Sequence, residues 1–164
     1  MRKAQTYRGQ RWRLLVKSLL IIVTFSACGS GDLFDRYQQI PYSGWDRDSV
    51  VSFRVNLTDT VHPWNLYLSV RNRGSYSYRN IWLFVAIQFP SGKVRTDTVE
   101  FTLADSSGKW RGRGIGDLFD NRFLYKENML FPVSGTYLFQ IRQGMRQKKL
   151  KGINDLGLRI EKRN

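Results

Sequence analysis

The stretch Ile81–Phe89, IWLFVAIQF, decides the fold class. It is apolar almost throughout and bounded by turn-forming residues. A run this short and this continuous reads as a β-strand covered on both faces, the expected centre of a sheet. A buried helix is the rival reading, but the run is short, and Pro90-Ser91-Gly92-Lys93 closes it with a hairpin-like turn.

On either side of this run the period is two. Downstream, Val99, Phe101 and Leu103 face one way and Thr98, Glu100 and Thr102 the other. Upstream, Val51, Phe53, Val55 and Leu57 oppose Ser52, Arg54 and Asn56, and Trp64, Leu66, Leu68 and Val70 alternate with Asn65, Tyr67, Ser69 and Arg71. Asp117–Phe131 is mixed, with a strand or two around Phe123-Leu124-Tyr125 and Met129-Leu130-Phe131. After the turn Pro132–Gly135, Tyr137, Phe139 and Ile141 mark a further strand. A basic stretch from Gln143 to Gly152 precedes the last one, on Leu156, Leu158 and Ile160. Seven or eight short strands with no helix among them predict an all-β domain over residues 49–164. The expected architecture is an antiparallel β-sandwich of immunoglobulin-like or jelly-roll type.

The N-terminus has a different plan. Arg2, Lys3, Arg8, Arg11, Arg13 and Lys17 lead into an apolar run, Leu19 to Phe25, then Ser26-Ala27-Cys28. Charge, apolar core and small residues make a cleaved secretory signal helix over residues 1–27. The pattern resembles a lipobox, with Cys28 as the acylated first residue of the mature chain, although Phe25 stands where the commonest lipobox has Leu. A membrane span is the poorer reading, because Leu14–Ala27 is too short beside the roughly 20 residues a span requires and carries Lys17. Ordinary cleavage after Ala27 would put Phe25 where a small residue is wanted. A buried core helix is stopped by Gly29-Ser30-Gly31. Residues 28–48 are expected to form a lipid-anchored tether leading into the domain.

The formal net charge is +14, but residues 1–27 carry six basic and no acidic side chains. The remainder has 21 basic against 13 acidic residues, a net of +8. A nucleic-acid partner is not expected for an exported chain of this kind. Cys28 is the single cysteine, so no intrachain disulfide is possible.

Catalytic constellations are not evident. His62 is the only histidine and precedes Pro63 in a turn, which leaves a Ser or Cys nucleophile without a well-placed base. One His and one Cys do not make a zinc site. Asp46 with Asp48, or Asp97 with Glu100, are the carboxylate pairs available for glycoside chemistry, but Asp at strand ends more often forms turns. No dense oxygen-ligand run marks a calcium loop. No catalytic residue, metal or cofactor is expected. Two features remain as contact candidates. In Gly108–Asp117, GKWRGRGIGD, the glycines lack the order of a phosphate loop. They are better explained by close backbone packing, with Arg111 and Arg113 on one side as solvated residues or as a contact for an anion or partner. Tyr76, Tyr78, Trp110 and Tyr125 are placed in or near loops, where they suit a partner or glycan, or cap the ends of the core.

Several motifs run together through the chain: Asn65–Asn72 (NLYLSVRN), Tyr78–Phe84 (YRNIWLF), Pro90-Ser91-Gly92, Asp97–Phe101 (DTVEF), Gly108–Asp117, Gly135-Thr136-Tyr137, Gln143–Arg146 (QGMR) and Leu150–Leu158 (LKGINDLGL). In these the chain resembles the gliding motility-associated lipoprotein H family (GldH) of Bacteroidetes. The resemblance implies a non-catalytic outer-membrane lipoprotein, bound to the membrane through lipid on Cys28, that supports surface motility alongside the machinery secreting surface adhesins. It implies other cell-envelope lipoproteins or secretion and motility components as partners, and only Cys28 carries over as a functional position. A glycan-binding surface lipoprotein using Trp110, Tyr76 and Tyr78 is the alternative.

Overall fold

The alternation in the sequence becomes alternation in burial. The computed structural model describes residues 32–163; the signal segment and Cys28 lie outside them. Among the described residues every regular element is a strand. In chain order they are β1 (Asp32–Gln39), β2 (Trp45–Asp46), β3 (Val51–Leu57), β4 (Trp64–Arg73), β5 (Asn80–Gln88), β6 (Val94–Thr102), β7 (Arg113–Ile115), β8 (Leu118–Met129), β9 (Gly135–Gln143), β10 (Lys149–Leu150) and β11 (Ile153–Lys162). The inward residues anticipated on β3, β4, β9 and β11 are all buried.

One five-stranded sheet runs β1-β11-β4-β8-β7 and one four-stranded sheet runs β3-β9-β5-β6, with every pairing antiparallel. The eight long strands, taken in chain order, pair first with eighth (β1·β11), second with seventh (β3·β9), third with sixth (β4·β8) and fourth with fifth (β5·β6). Successive pairs alternate between the two sheets. This is a ribbon folded once on itself and then wrapped around a core, which is jelly-roll topology rather than the immunoglobulin order.

Side chains close both open sides of the sandwich. On one side Phe34 of β1 meets Phe53 of β3 edge-on at 6.1 Å, and Gln38 Oε1 accepts the Ser52 N–H of the β3 edge at 3.2 Å. On the other, Phe101 of β6 stacks on Phe123 of β8 at 4.3 Å. Asp97 beside them accepts from the Tyr125 hydroxyl at 2.6 Å and pairs with Lys126 at 3.0 Å. An inward-pointing carboxylate on an edge strand also discourages pairing with a foreign strand.

Two elements differ from the sequence reading. The segment expected as tether contains β1, an eight-residue edge strand paired to β11. Its sequence, DLFDRYQQ, has too few apolar residues to announce a strand, because its outward side chains join a polar network. And β5 is interior to its sheet, as anticipated, but is not covered on both faces. Ile81, Leu83, Val85 and Ile87 are buried, whereas Trp82 and Phe84 are 38% and 44% exposed. The region from Asp117 to Phe131 forms one long strand, β8, with register shifts near its end.

Tyr37 of β1 organises the outer face of the five-stranded sheet. Its ring lies over Gly157 of β11, where a Cβ would come within 2.8 Å of it. The guanidinium carbon of Arg71 sits 3.8 Å from the ring centroid. The hydroxyl reaches Asp120 of β8 at 3.2 Å, and the same carboxylate receives Arg71 Nε at 3.1 Å. Arg159 extends the network to Asp35 at 2.9 Å and Glu161 at 2.8 Å.

Candidate functional site

The run Gly108–Asp117 is built around close backbone approach. The Arg111 N–H donates to the Leu103 carbonyl at 2.8 Å, and Ala104 bridges Trp110, closing a small hairpin. The chain then passes against β8. A Cβ on Gly112 would fall 2.9 Å from the Asp120 carbonyl, and one on Gly114 2.8 Å from the Leu118 carbonyl. Two of the alternate glycines thus do what close packing requires, while Gly108 and Gly116 turn the chain with positive φ.

A cleft of about 490 Å³ opens where β7 begins. Arg111, Gly112 and Arg113 form one wall, Asp120 to Phe123 of β8 the other, and Thr102 of β6 lies at the end. Asn121 is buried in this wall. Its amide donates to Asn72 Oδ1 at 2.9 Å and to the Val70 carbonyl at 3.2 Å, while its Oδ1 has no donor. Arg122, which the sequence did not single out, belongs to the β8 wall, but its guanidinium lies 3.9 Å from Asp35 of β1.

The aromatic candidates come together, but inside. Tyr76 contacts Tyr78 at 5.6 Å and Trp110 at 6.3 Å, and Trp110 contacts Phe119 at 5.8 Å. Tyr76 is only 4% exposed, and its hydroxyl donates to the Asn80 carbonyl at 2.9 Å. Burial pushes that hydroxyl above the usual tyrosine range. Gly152 fixes it there: its φ is +85°, and a Cβ would sit 2.7 Å from the Tyr76 Cα. The expectation that Tyr76 offers a surface contact is therefore corrected. Tyr78 and Trp110 are half-buried against the core, so this trio caps the sandwich. Tyr125 is likewise turned inward onto Asp97.

The other candidates resolve as local structure. Asp46 accepts the Asp48 N–H at 3.0 Å, which closes a turn. His62 lies exposed, with Nδ1 2.7 Å from Asp59. The backbone N–H of His62 leads the interactions that hold Asp59 down to about 2. Cys28 lies outside the described residues. Among those residues no group of three or more His, Cys, Asp or Glu is placed to hold a metal.

A second surface has no counterpart in the sequence candidates. On the outer face of the four-stranded sheet, Phe84 lies between Arg142 of β9 and Thr98 of β6, and Trp82 stands opposite Glu100. Ala86, between Gln140 and Thr96, continues the strip along β5. Shallow hollows of about 450 and 420 Å³ flank it, reaching Val50 on one side and Met145 on the other. The signal was present in IWLFVAIQF, whose outward positions are as apolar as its inward ones.

The sequence matches the GldH lipoprotein family over residues 32–160, the span that holds both surfaces. The chain belongs to that family. A gliding motility lipoprotein GldH homolog of Christiangramia forsetii is 37% identical, with 88% of this chain and 92% of that protein covered. The gliding motility lipoprotein GldH of Flavobacterium johnsoniae is 33% identical, with 89% and 94% covered. Among solved structures, the VP2 subviral particle of infectious bursal disease virus aligns at 13% identity and a TM-score of 0.34, over 79% of this chain and 30% of that one.

Proposed function

We propose that this chain is a non-catalytic outer-membrane lipoprotein, acylated at Cys28. In this reading it supports gliding motility and the associated surface-protein secretion machinery as a structural and assembly partner. The family and the names of its relatives support the motility and lipoprotein parts of this reading. The observation that carries the assembly part is the uncovered face of β5. Large aromatics half-exposed in the middle of a regular sheet mark an interaction surface more often than a surface that faces water. Trp and Phe are also residue types that dominate binding when buried against a partner. Arg142 beside Phe84 and Arg146 beyond Met145 give the strip a basic rim, while Glu100 is already held by Asn80. A protein surface that is apolar at its centre and acidic at its edge fits it.

The test is complementation in a gliding host whose own family member has been deleted, using the full-length chain. Phe84→Glu is expected to reach the membrane fraction at normal abundance and to fail to restore surface spreading. Leu124→Glu, an exposed change on the opposite sheet, is expected to restore it. Full spreading with Phe84→Glu defeats the assembly reading of this face. Cys28→Ser is expected to move the protein to the soluble fraction, and unchanged membrane attachment defeats the anchor.

A further inference from the structure

The arginine-lined cleft is independent of the β5 face and is unexplained by it. The ladder between β7 and β8 stops at Arg113, opposite Asp120. Continuing that register by two residues would set Arg111 against Arg122, and like charges directly opposite one another destabilise a sheet. The cleft opens at this point instead. The nearby carboxylates neutralise it only in part. Asp120 is engaged by Arg71 and by the Tyr37 hydroxyl. Arg111 is near enough to Asp105 to help hold that carboxyl below its ordinary value. Arg122 does not serve the cleft, because its guanidinium is 3.9 Å from Asp35 of β1 and so turned away from β7. The Arg111 and Arg113 side chains make no hydrogen bond or ion pair among the described residues.

Arginine presents a planar fork of donors matched to oxyanions, and two at one space offer more donors than a single carboxylate accepts. A phosphate monoester, with three acceptor oxygens and about two negative charges, uses them more fully. The cleft volume of about 490 Å³ holds a sugar-sized body behind the phosphate. Gly112 fixes the geometry, because any side chain there would collide with Asn121 and push Arg111 and Arg113 off β8. We infer that this cleft binds a phosphate monoester, carried on a soluble sugar or on a lipid headgroup, through Arg111 and Arg113.

The experiment uses the full-length acylated protein in non-ionic detergent. A soluble sugar phosphate is titrated calorimetrically, and so is water-soluble short-chain phosphatidic acid, with short-chain phosphatidylcholine as its comparison. Saturable binding of one or both phosphate probes is expected, weakened about tenfold or more in Arg111→Gln/Arg113→Gln, since the charge-assisted contacts are lost. Neither arginine makes a side-chain hydrogen bond or ion pair among the described residues, so this variant is expected to keep the wild-type melting temperature. Arg54→Gln, on the exposed side of β3, controls for diffuse charge and is expected to bind as the wild type does. Binding of the sugar phosphate alone identifies a free phosphorylated sugar as the source, and binding of the phosphatidic acid alone identifies a headgroup. The inference is overturned if neither phosphate probe saturates the wild type, or if Arg54→Gln weakens binding as much as the double variant does.

Discussion

The two outer faces of the sandwich follow opposite plans. On the five-stranded sheet the outward positions hold Asp35, Arg71, Asp120, Asp155 and Arg159, cross-linked by ion pairs and bound together by the Tyr37 ring. On the four-stranded sheet the same alternation brings out Trp82, Phe84 and Ala86, with threonines on β6 beside them. One face satisfies its outward groups within the chain. The other leaves apolar surface uncovered. The pleat is alike in both sheets, so the identity of every second residue distinguishes a face of paired charges from one that leaves aromatic rings exposed.

The sharpest break of this comparison lies within β5. Leu83→Ala removes a fully buried side chain and is expected to cost about 2–5 kcal/mol in urea unfolding. On the opposite sheet, Gly157→Ala places a methyl against the Tyr37 ring and is expected to cost about 1–3 kcal/mol. Adding Tyr37→Ala should then recover most of that loss, and simple additivity in the double variant would show that the ring is not the obstacle. Asp120→Asn leaves Arg71 and Tyr37 without their shared carboxylate. Its effect is expected to be about 0.5–1.5 kcal/mol, shrinking as salt is raised, because the pair is partly exposed.

The pH response sharpens the edges. The Tyr125 hydroxyl, joined by Lys126, holds the Asp97 carboxyl below its ordinary value of 3.8. A depressed acid contributes stability that is complete above 3.8 and is lost as pH falls through the folded value. Thermal unfolding is therefore expected to weaken below that pH by more in the wild type than in Asp97→Asn. The smallest effect is expected from Phe84→Ser, which should change stability by no more than about 0.5 kcal/mol in the isolated protein. A large loss there would mean that the ring packs within the fold and is not an uncovered contact.

Most of the fold was legible because five strands bury one apolar residue in two. Val51 to Leu57 is the clearest case. β1 was not legible: Phe34 and Tyr37 are its only aromatics, and its pairing is visible only once Gly157 and Asp120 are brought beneath Tyr37. β5 was half legible, since a run apolar on both sides does not tell that the fold covers only one of them. At the cleft, Arg111 and Arg113 stood out by their glycine setting, whereas the opening beside them is visible only once β7 is paired to β8. Tyr76 was misplaced because the distant Gly152 turn, and not its own neighbourhood, takes it out of solvent.

β1 also determines how the domain responds to tension. It is the first strand of the described chain, and any pull delivered ahead of Asp32 enters the fold through it. A pull along the strand loads its hydrogen bonds with β11 in shear, all together. A pull away from the sheet peels them one pair at a time, beginning at Asp32 and Glu161. Peeling meets its obstacle at Tyr37, whose ring crosses Gly157 and whose hydroxyl is fastened to Asp120 three strands away. The fold thus carries a mechanical stop within the first strand to feel the load.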